Sequence, residues 1–403
     1  MKSEWQACTI GELCDSVSVT YRGEDERVVL VNTSDVLNGK VLNHTDEPNQ
    51  NLKGQFKKTF KRNDILYSEI RPANRRFAYI DFDETEKYIA STKLMVIRYR
   101  ENVVEPKFLY FLLTSNVVIG ELQRLAETRS GTFPQITFPA EVATLPVNIP
   151  PLPIQRKIAS ILSSLDDKIE TNNAICRNLE EQIKLIFKDT YASKVKASSA
   201  RIEDVTLADV CSAITKGTTP STLGHRFENV GVNFVKAESI TNCHRIEKNK
   251  ISFISLETHN KLKRSQVEDG DILFSIAGTL GRFTLAATHI LPANTNQAVA
   301  IIRANKEKVA PEYLYSLFIA GWHEEYCKKN VQQAVQANLS LGIIKSLPIF
   351  LLLGQEMKNY LSKITPLITT MKKLERESSS LAYLRDALLP KLMSGELEVE
   401  TLV

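Results

Sequence analysis

The sequence has few of the features that mark several protein classes. Its six cysteines (Cys8, Cys14, Cys176, Cys211, Cys243 and Cys327) form no CxxC pair and stand beside no metal-spaced histidine, so neither a zinc site nor a disulfide framework is expected. The longest wholly apolar stretch near a strand, Pro348-Ile349-Phe350-Leu351-Leu352-Leu353, is far short of the ~20 residues that cross a membrane. The start, Met1-Lys2-Ser3-Glu4-Trp5, lacks the basic-then-apolar pattern of a signal peptide, and a cytoplasmic protein is expected. Catalytic signatures are missing too: there is no GxxxxGK[ST] loop, no helix-opening GxGxxG, no HExxH and no GxSxG. The six histidines (His44, His225, His244, His259, His289 and His323) are scattered without metal-ligand spacing. A dominant charge is also lacking, since 51 basic and 47 acidic residues leave only +4. With 43% hydrophobic and 24% charged residues, the 403-residue chain is neither disordered nor collagen-like. Its length suggests two or three domains.

What is present is a repeat. Thr9-Ile10-Gly11-Glu12-Leu13-Cys14 recurs as Thr206-Leu207-Ala208-Asp209-Val210-Cys211, an offset of 197. Asp64-Ile65-Leu66-Tyr67-Ser68 recurs as Asp271-Ile272-Leu273-Phe274-Ser275, an offset of 207. In the same order, Arg76-Phe77-Ala78 answers Arg282-Phe283-Thr284, Ile97-Arg98 answers Ile302-Arg303, and Pro106-Lys107-Phe108-Leu109-Tyr110 answers Pro311-Glu312-Tyr313-Leu314-Tyr315. Gln135-Ile136-Thr137 and Leu145-Pro146 face Asn338-Leu339-Ser340 and Leu347-Pro348. A period of about 200 residues is too long for a solenoid, so each copy should be a domain. The first three-quarters of each copy alternates apolar and polar residues between turn signals, with a short helix starting at Pro106 or Pro311, and predicts an α+β fold.

The last quarter of each copy is helical. Ile158, Leu162, Leu165, Ile169, Asn172, Cys176, Leu179, Ile183 and Ile186 step by four and three, a heptad seam within a helix predicted over 154–188 or a little beyond. In the second copy Met357, Tyr360, Ile364, Leu367, Met371, Leu374, Ser378, Leu381, Arg385 and Leu388 repeat the pattern, with Pro366 predicting a kink. The two helices most simply pair, with Asn172 opposite Ser378 fixing register, although a stripe lying on its own domain is the usual alternative. The seam residues expected to matter are Ile158, Leu165, Ile169, Asn172, Leu179, Ile183, Ile364, Leu367, Met371, Leu374, Leu381 and Leu388.

Acidic residues near lysines could suit a nuclease, but the repeat replaces Glu69 with Ile276 while keeping Asp271, so Asp64 reads as turn chemistry. No active site is expected. Basic charge is concentrated instead. Residues 51–76 hold eight cations against two acids, and 243–264 hold six against two. Two matched basic clusters favour gripping a polyanion, most simply DNA phosphates. Base reading needs Arg, Asn or Gln in exposed loops, and 71–76, 127–135, 216–222 and 330–340 are candidates. The residues singled out for DNA are Lys53, Lys57, Lys58, Lys61, Arg62, Arg71, Arg75, Arg76, Arg129 and Gln135 in the first copy. In the second they are Lys216, Thr218, Thr219, Ser221, Lys248, Lys250, Lys263, Arg264, Arg282, Gln333, Gln336 and Asn338. The string Lys216-Gly217-Thr218-Thr219-Pro220-Ser221 could cradle a phosphate or simply turn into a helix cap.

This layout resembles the specificity subunit of type I restriction-modification enzymes. Pro151-Leu152-Pro153-Ile154-Gln155-Arg156-Lys157-Ile158-Ala159-Ser160-Ile161-Leu162 resembles the opening of that family's first long helix. Leu384-Arg385-Asp386-Ala387-Leu388-Leu389-Pro390-Lys391-Leu392-Met393-Ser394-Gly395-Glu396-Leu397 resembles the end of its second. Asp271-Ile272-Leu273-Phe274-Ser275 and Gly217-Thr218-Thr219-Pro220-Ser221 are similar to strings of its recognition domains. The resemblance implies an α+β chain with two tandem target-recognition domains, joined and separated by two long helices in an antiparallel coiled coil with cyclic pseudo-twofold symmetry. The expected segments are a first recognition domain over 1–150, a first helix over 151–192, a second domain over 193–352, a second helix over 353–395 and a tail over 396–403. It further implies a non-catalytic DNA-binding subunit whose partners are two modification subunits and the restriction subunits. S-adenosylmethionine, ATP and Mg²⁺ would sit on those partners. Each domain would read half of a bipartite target, with the helices setting the spacer. A coiled-coil scaffold without DNA contact, or a self-contained nuclease or methyltransferase, are the alternatives.

Overall fold

The computed structural model describes residues 5–50, 54–129, 133–196, 205–331 and 338–399. Contacts divide the chain into two units, residues 1–167 with 381–403 and residues 168–380. Each unit therefore contains a β-rich domain and a portion of both long helices.

In the first unit, strands β1 (Cys14–Val17), β2 (Ile65–Ser68), β3 (Phe77–Tyr79) and β4 (Leu94–Tyr99) form an antiparallel sheet in the order β1-β4-β2-β3. Central β2 and β4 are covered on both faces, and they read accordingly as apolar runs. A second sheet pairs Arg27–Val31 in parallel with Tyr88–Ser91 and adds antiparallel edges at Glu47–Pro48 and Phe56–Lys58. Helices Pro106–Leu113 and Asn116–Arg129 close the core, the first beginning on its proline as the fixed φ of that residue favours.

The second unit repeats this plan with β5 (Cys211–Lys216), β6 (Ile272–Ser275), β7 (Phe283–Leu285) and β8 (Val299–Ala304) in the order β5-β8-β6-β7. Its other sheet again has one parallel pair, Val232–Val235 with Ala293–Thr295, between antiparallel edges. The duplicated sequence strings thus occupy equivalent positions. Thr9 and Thr206 each begin a short helix with a capping box, closed by Glu12 and Asp209.

The first long helix runs Leu152–Lys196 and the second Gly354–Met393, both slightly different from the sequence expectation at their ends. The second continues through Pro366 as one unbroken helix. In the second unit the helices are antiparallel, because Lys168 meets Glu377, Asn172 meets Ser378, and the Cys176 thiol meets the Met371 carbonyl. In the first unit Asp166 pairs with Arg385 at 2.7 Å.

The seam side chains are not reserved for helix pairing, which corrects the simpler expectation. Cys176, Ile183, Phe187, Tyr360, Ile364, Ile368 and Met371 share one core with Ile272, Phe274, Tyr313 and Phe350 of the second domain. Ile158, Ala159, Leu162 and Leu392 likewise share a core with Ile10, Leu13, Phe108 and Leu145 of the first. Leu165, Ile169, Leu179, Leu367, Leu374, Leu381 and Leu388 are only half-buried. The stripe is wider than a coiled-coil seam because each helix face serves a partner helix and a domain at once.

Candidate nucleic-acid interface

The cations of the first domain separate into those occupied within the protein and those left free. Lys58 is half-buried and donates from Nζ to the carbonyls of Thr92 (3.0 Å) and Leu94 (2.8 Å), and burial lowers its pKa. Arg62 pairs with Asp83 at 2.6 Å and Arg129 with Glu141 at 2.8 Å. Arg75 donates to the Asn116 side chain, and Arg76 to the Ser34 carbonyl at 2.9 Å. Gln135 donates to Glu69 at 3.0 Å. Lys57, Lys61 and Arg71 are exposed, and their side chains make no hydrogen bond or ion pair among the described residues. Lys53 lies outside the described residues.

In the second domain Lys250 pairs with Glu247 at 2.6 Å, and Arg282 donates to the Ile240 carbonyl at 3.0 Å. Lys216, Lys248, Lys263 and Arg264 are exposed, with no such side-chain partner among the described residues. The Gly217 and Thr218 N–H groups, candidates for holding a phosphate, donate instead to the carbonyls of Val299 and Thr295. Thr219 stands at the N-terminal cap position of the turn helix Pro220–Leu223, but its hydroxyl donates to Gln297 and makes no capping bond, while Ser221 is exposed. This string therefore anchors a loop where the strand Ala293–Thr295 passes into β8. Asn338 is exposed, and Gln333 and Gln336 lie outside the described residues.

The β2–β3 and β6–β7 hairpin loops are closed alike. Ser68 donates to the Arg76 carbonyl at 2.8 Å, and Ser275 to the Arg282 carbonyl at 2.7 Å. Ile136 reaches the Glu69 carbonyl at 2.8 Å, and Leu339 the Ile276 carbonyl at 2.9 Å. Each loop also has two left-handed residues at matching places, three past the serine and one before the arginine. In the second domain these are Gly278 (φ 73°) and Gly281 (φ 80°). In the first they are Arg71 (φ 47°) and Arg75 (φ 52°), where a side chain costs roughly 1–2 kcal/mol per residue. Sequence reasoning grouped both arginines with the other cations and missed this. The available signal was the alignment of the two copies, with arginine standing opposite glycine twice.

Where the helices meet the second domain, an ionic cluster is folded inward. Arg245 lies 3.7 Å from Glu375 and donates to Asn173. Burial raises the pKa of Glu180 and pushes that of Glu375 up to about 7, with Arg245 pulling both down. Asn172 donates to Glu377 at 3.0 Å and Ser378 at 3.3 Å. Among the described residues no group of His, Cys, Asp and Glu could hold a metal ion.

The profile of the type I restriction modification DNA specificity domain matches residues 2–181 and again 201–378. The chain belongs to this family. Its two copies of the specificity domain are the duplication seen in both sequence and fold, and the family is non-catalytic. The chain is 42% identical over 205 residues, half its length, to the type I restriction enzyme HindI specificity subunit of Haemophilus influenzae. That alignment spans 44% of the HindI subunit. A second similarity, 23% identity over 84% of this chain and 79% of the relative, is to a protein described as a candidate MjaX specificity subunit of Methanocaldococcus jannaschii. The crystal structure of the type I restriction-modification S subunit of M. genitalium shares the fold, with a TM-score of 0.52 at 16% identity and 96% coverage of both chains. No helix among the described residues is long and apolar enough to cross a membrane.

Proposed function

We propose that this chain is the DNA-reading subunit of a cytoplasmic type I restriction-modification complex, each specificity domain recognising one half of a bipartite target. The observation that carries this reading is the duplicated specificity domain, each copy presenting exposed, unpaired cations on the same scaffold. Those cations would hold phosphates and place neighbouring loops against base edges. Two modification subunits would dock on the polar faces of the long helices and the adjoining domain surfaces, bringing S-adenosylmethionine. Restriction subunits would bring ATP and Mg²⁺.

The antiparallel helices would act as the spacer. Seven residues added to both should lengthen the nonspecific gap by about 10 Å, or roughly three base pairs, while preserving the heptad phase. The test is methylome sequencing of cells expressing the complete system, followed by the same measurement after exchange of residues 1–150 for the equivalent domain of a relative. One half-site should change and the other persist. A change in both, or methylation without a bipartite target, overturns the reading. If instead the complex shows no salt-sensitive binding to duplex DNA, the chain is a scaffold.

A further inference from the structure

We infer that Arg71 is a base-reading residue of the first domain and that it recognises a guanine in the major groove. The inference rests on the DNA-reading function proposed above and goes one step further, to one side chain and one base.

Three observations converge on it. First, the matched hairpin of the second domain shows that glycine satisfies the same left-handed backbone position, at Gly278. The first domain keeps an arginine there at a conformational cost, so the side chain has a use that the backbone does not explain. Second, the arginine at the other left-handed position has an internal use: Arg75 donates to Asn116. Arg71 has none, and its side chain is exposed with no hydrogen bond or ion pair among the described residues. Third, the loop beneath it is held rigidly. The Arg71 N–H donates to the Pro134 carbonyl at 3.0 Å, and its own carbonyl accepts from Asn74 at 2.8 Å. The Ala73 N–H donates to Gln123 Oε1 at 3.0 Å, and Pro72 follows at the first position of a short helical turn.

A free guanidinium on a fixed backbone is what directional readout requires. A phosphate contact tolerates a mobile lysine, whereas the two parallel N–H bonds to guanine O6 and N7 need a planar fork aimed from a set origin. Among the cations that the sequence singled out in this domain, the exposed Lys57 and Lys61 suit the first task and Arg71, on its hydrogen-bonded loop, the second.

The test uses the complete complex with its modification subunits and a library of duplexes randomised across the wild-type target, alongside methylome sequencing. The wild type must first show a bipartite target; if it does not, the proposed function fails before this inference is reached. Arg71→Gly installs the residue the second domain uses, so the loop should fold at least as well, with an equal or higher melting temperature. It should lose about tenfold or more of the discrimination at a single G·C pair of one half-site, leaving the other half-site intact. Arg71→Lys should keep most of the affinity without restoring that preference. Uniform weakening across all sequences, with a salt slope reduced by about one, would mean a phosphate contact and overturn the inference. So would unchanged specificity, or a relaxed position that is not G·C.

Discussion

Arg98 clasps Asp64 through two parallel hydrogen bonds, Nε to Oδ1 at 2.8 Å and Nη2 to Oδ2 at 2.7 Å, and Arg303 clasps Asp271 through the same atoms at 2.8 Å each. Each aspartate also accepts from the turn before its strand, from the N–H of Lys61 or Glu268. Both carboxylates are buried, and each pairing raises the pKa of its arginine. Removing one partner of a buried, hydrogen-bonded pair strands the other. Arg98→Met should therefore destabilise the first domain by about 3 kcal/mol, the lower end for such pairs because the arginine is partly exposed. Arg303→Met should do the same in the second. Urea unfolding measures both, and a loss under about 1 kcal/mol would mean that the turn bonds alone hold the aspartates.

That pair also marks what could be seen in advance. Asp64 with Asp271 and Arg98 with Arg303 were visible as separate repeated strings, because strand and turn residues are local in sequence. Nothing local says that the members of a pair touch, since 34 and 32 residues separate each aspartate, just before one strand, from the arginine on the strand beside it. The helical stripes were legible by their period, but not the domain cores that share them, because periodicity gives a face and not its occupant. Most of the cations were legible only as charge. Whether Lys58 caps two carbonyls or Lys57 points to solvent depends on strand register, which composition does not encode.

His323 should make the second domain acid-sensitive. It is buried against the rings of Phe274, Phe283 and Phe318, and burial, aided by His244, pulls its pKa down to about 4. His244, stacked on Phe283, is likewise lowered to about 4 by burial, Lys184 and Arg245, against a hydrogen bond that its ring donates to the Phe283 backbone. An unfolded histidine protonates near ~6.5. Their contribution is thus fully present above that pH and is lost as pH falls toward 4, because the unfolded chain takes up protons that the folded domain refuses. Glu375, raised to about 7 chiefly by burial, acts in the opposite sense, so the comparison must be made variant by variant. His323→Phe should flatten the decline in melting temperature between pH 6.5 and 4.5. An unchanged slope would exclude His323 as its source.

Asn172 is buried, and its Oδ1 accepts no hydrogen bond among the described residues although its amide serves Glu377 and Ser378. A half-satisfied polar group in a helix seam lowers stability while specifying register. Asn172→Leu should raise the melting temperature. If the helices set the spacer, it should also admit a minor class of methylated targets with a shifted gap. A less stable protein with a single spacer would show that Asn172 supports the fold and not the register.

The two ends of the described chain meet in the first unit. Gly395, left-handed at φ 65° after the second long helix, lies so close to the indole of Trp5 that an added Cβ would sit 3.0 Å from the ring. Leu392 and Val399 are buried in the same core as Ile10 and Leu13, with Leu397 packed against it. Gly395→Val should consequently destabilise the first domain by both backbone strain and collision with Trp5, by at least about 2 kcal/mol, and lower its melting temperature. The same proximity predicts tolerance of circular permutation. The permutant would have the two ends of the chain joined by a short flexible linker and a new opening within 197–204, between the first long helix and the second domain. The permutant, expressed with the modification subunits, should fold and support methylation of the original target. Failure to fold despite the linker would overturn the expectation.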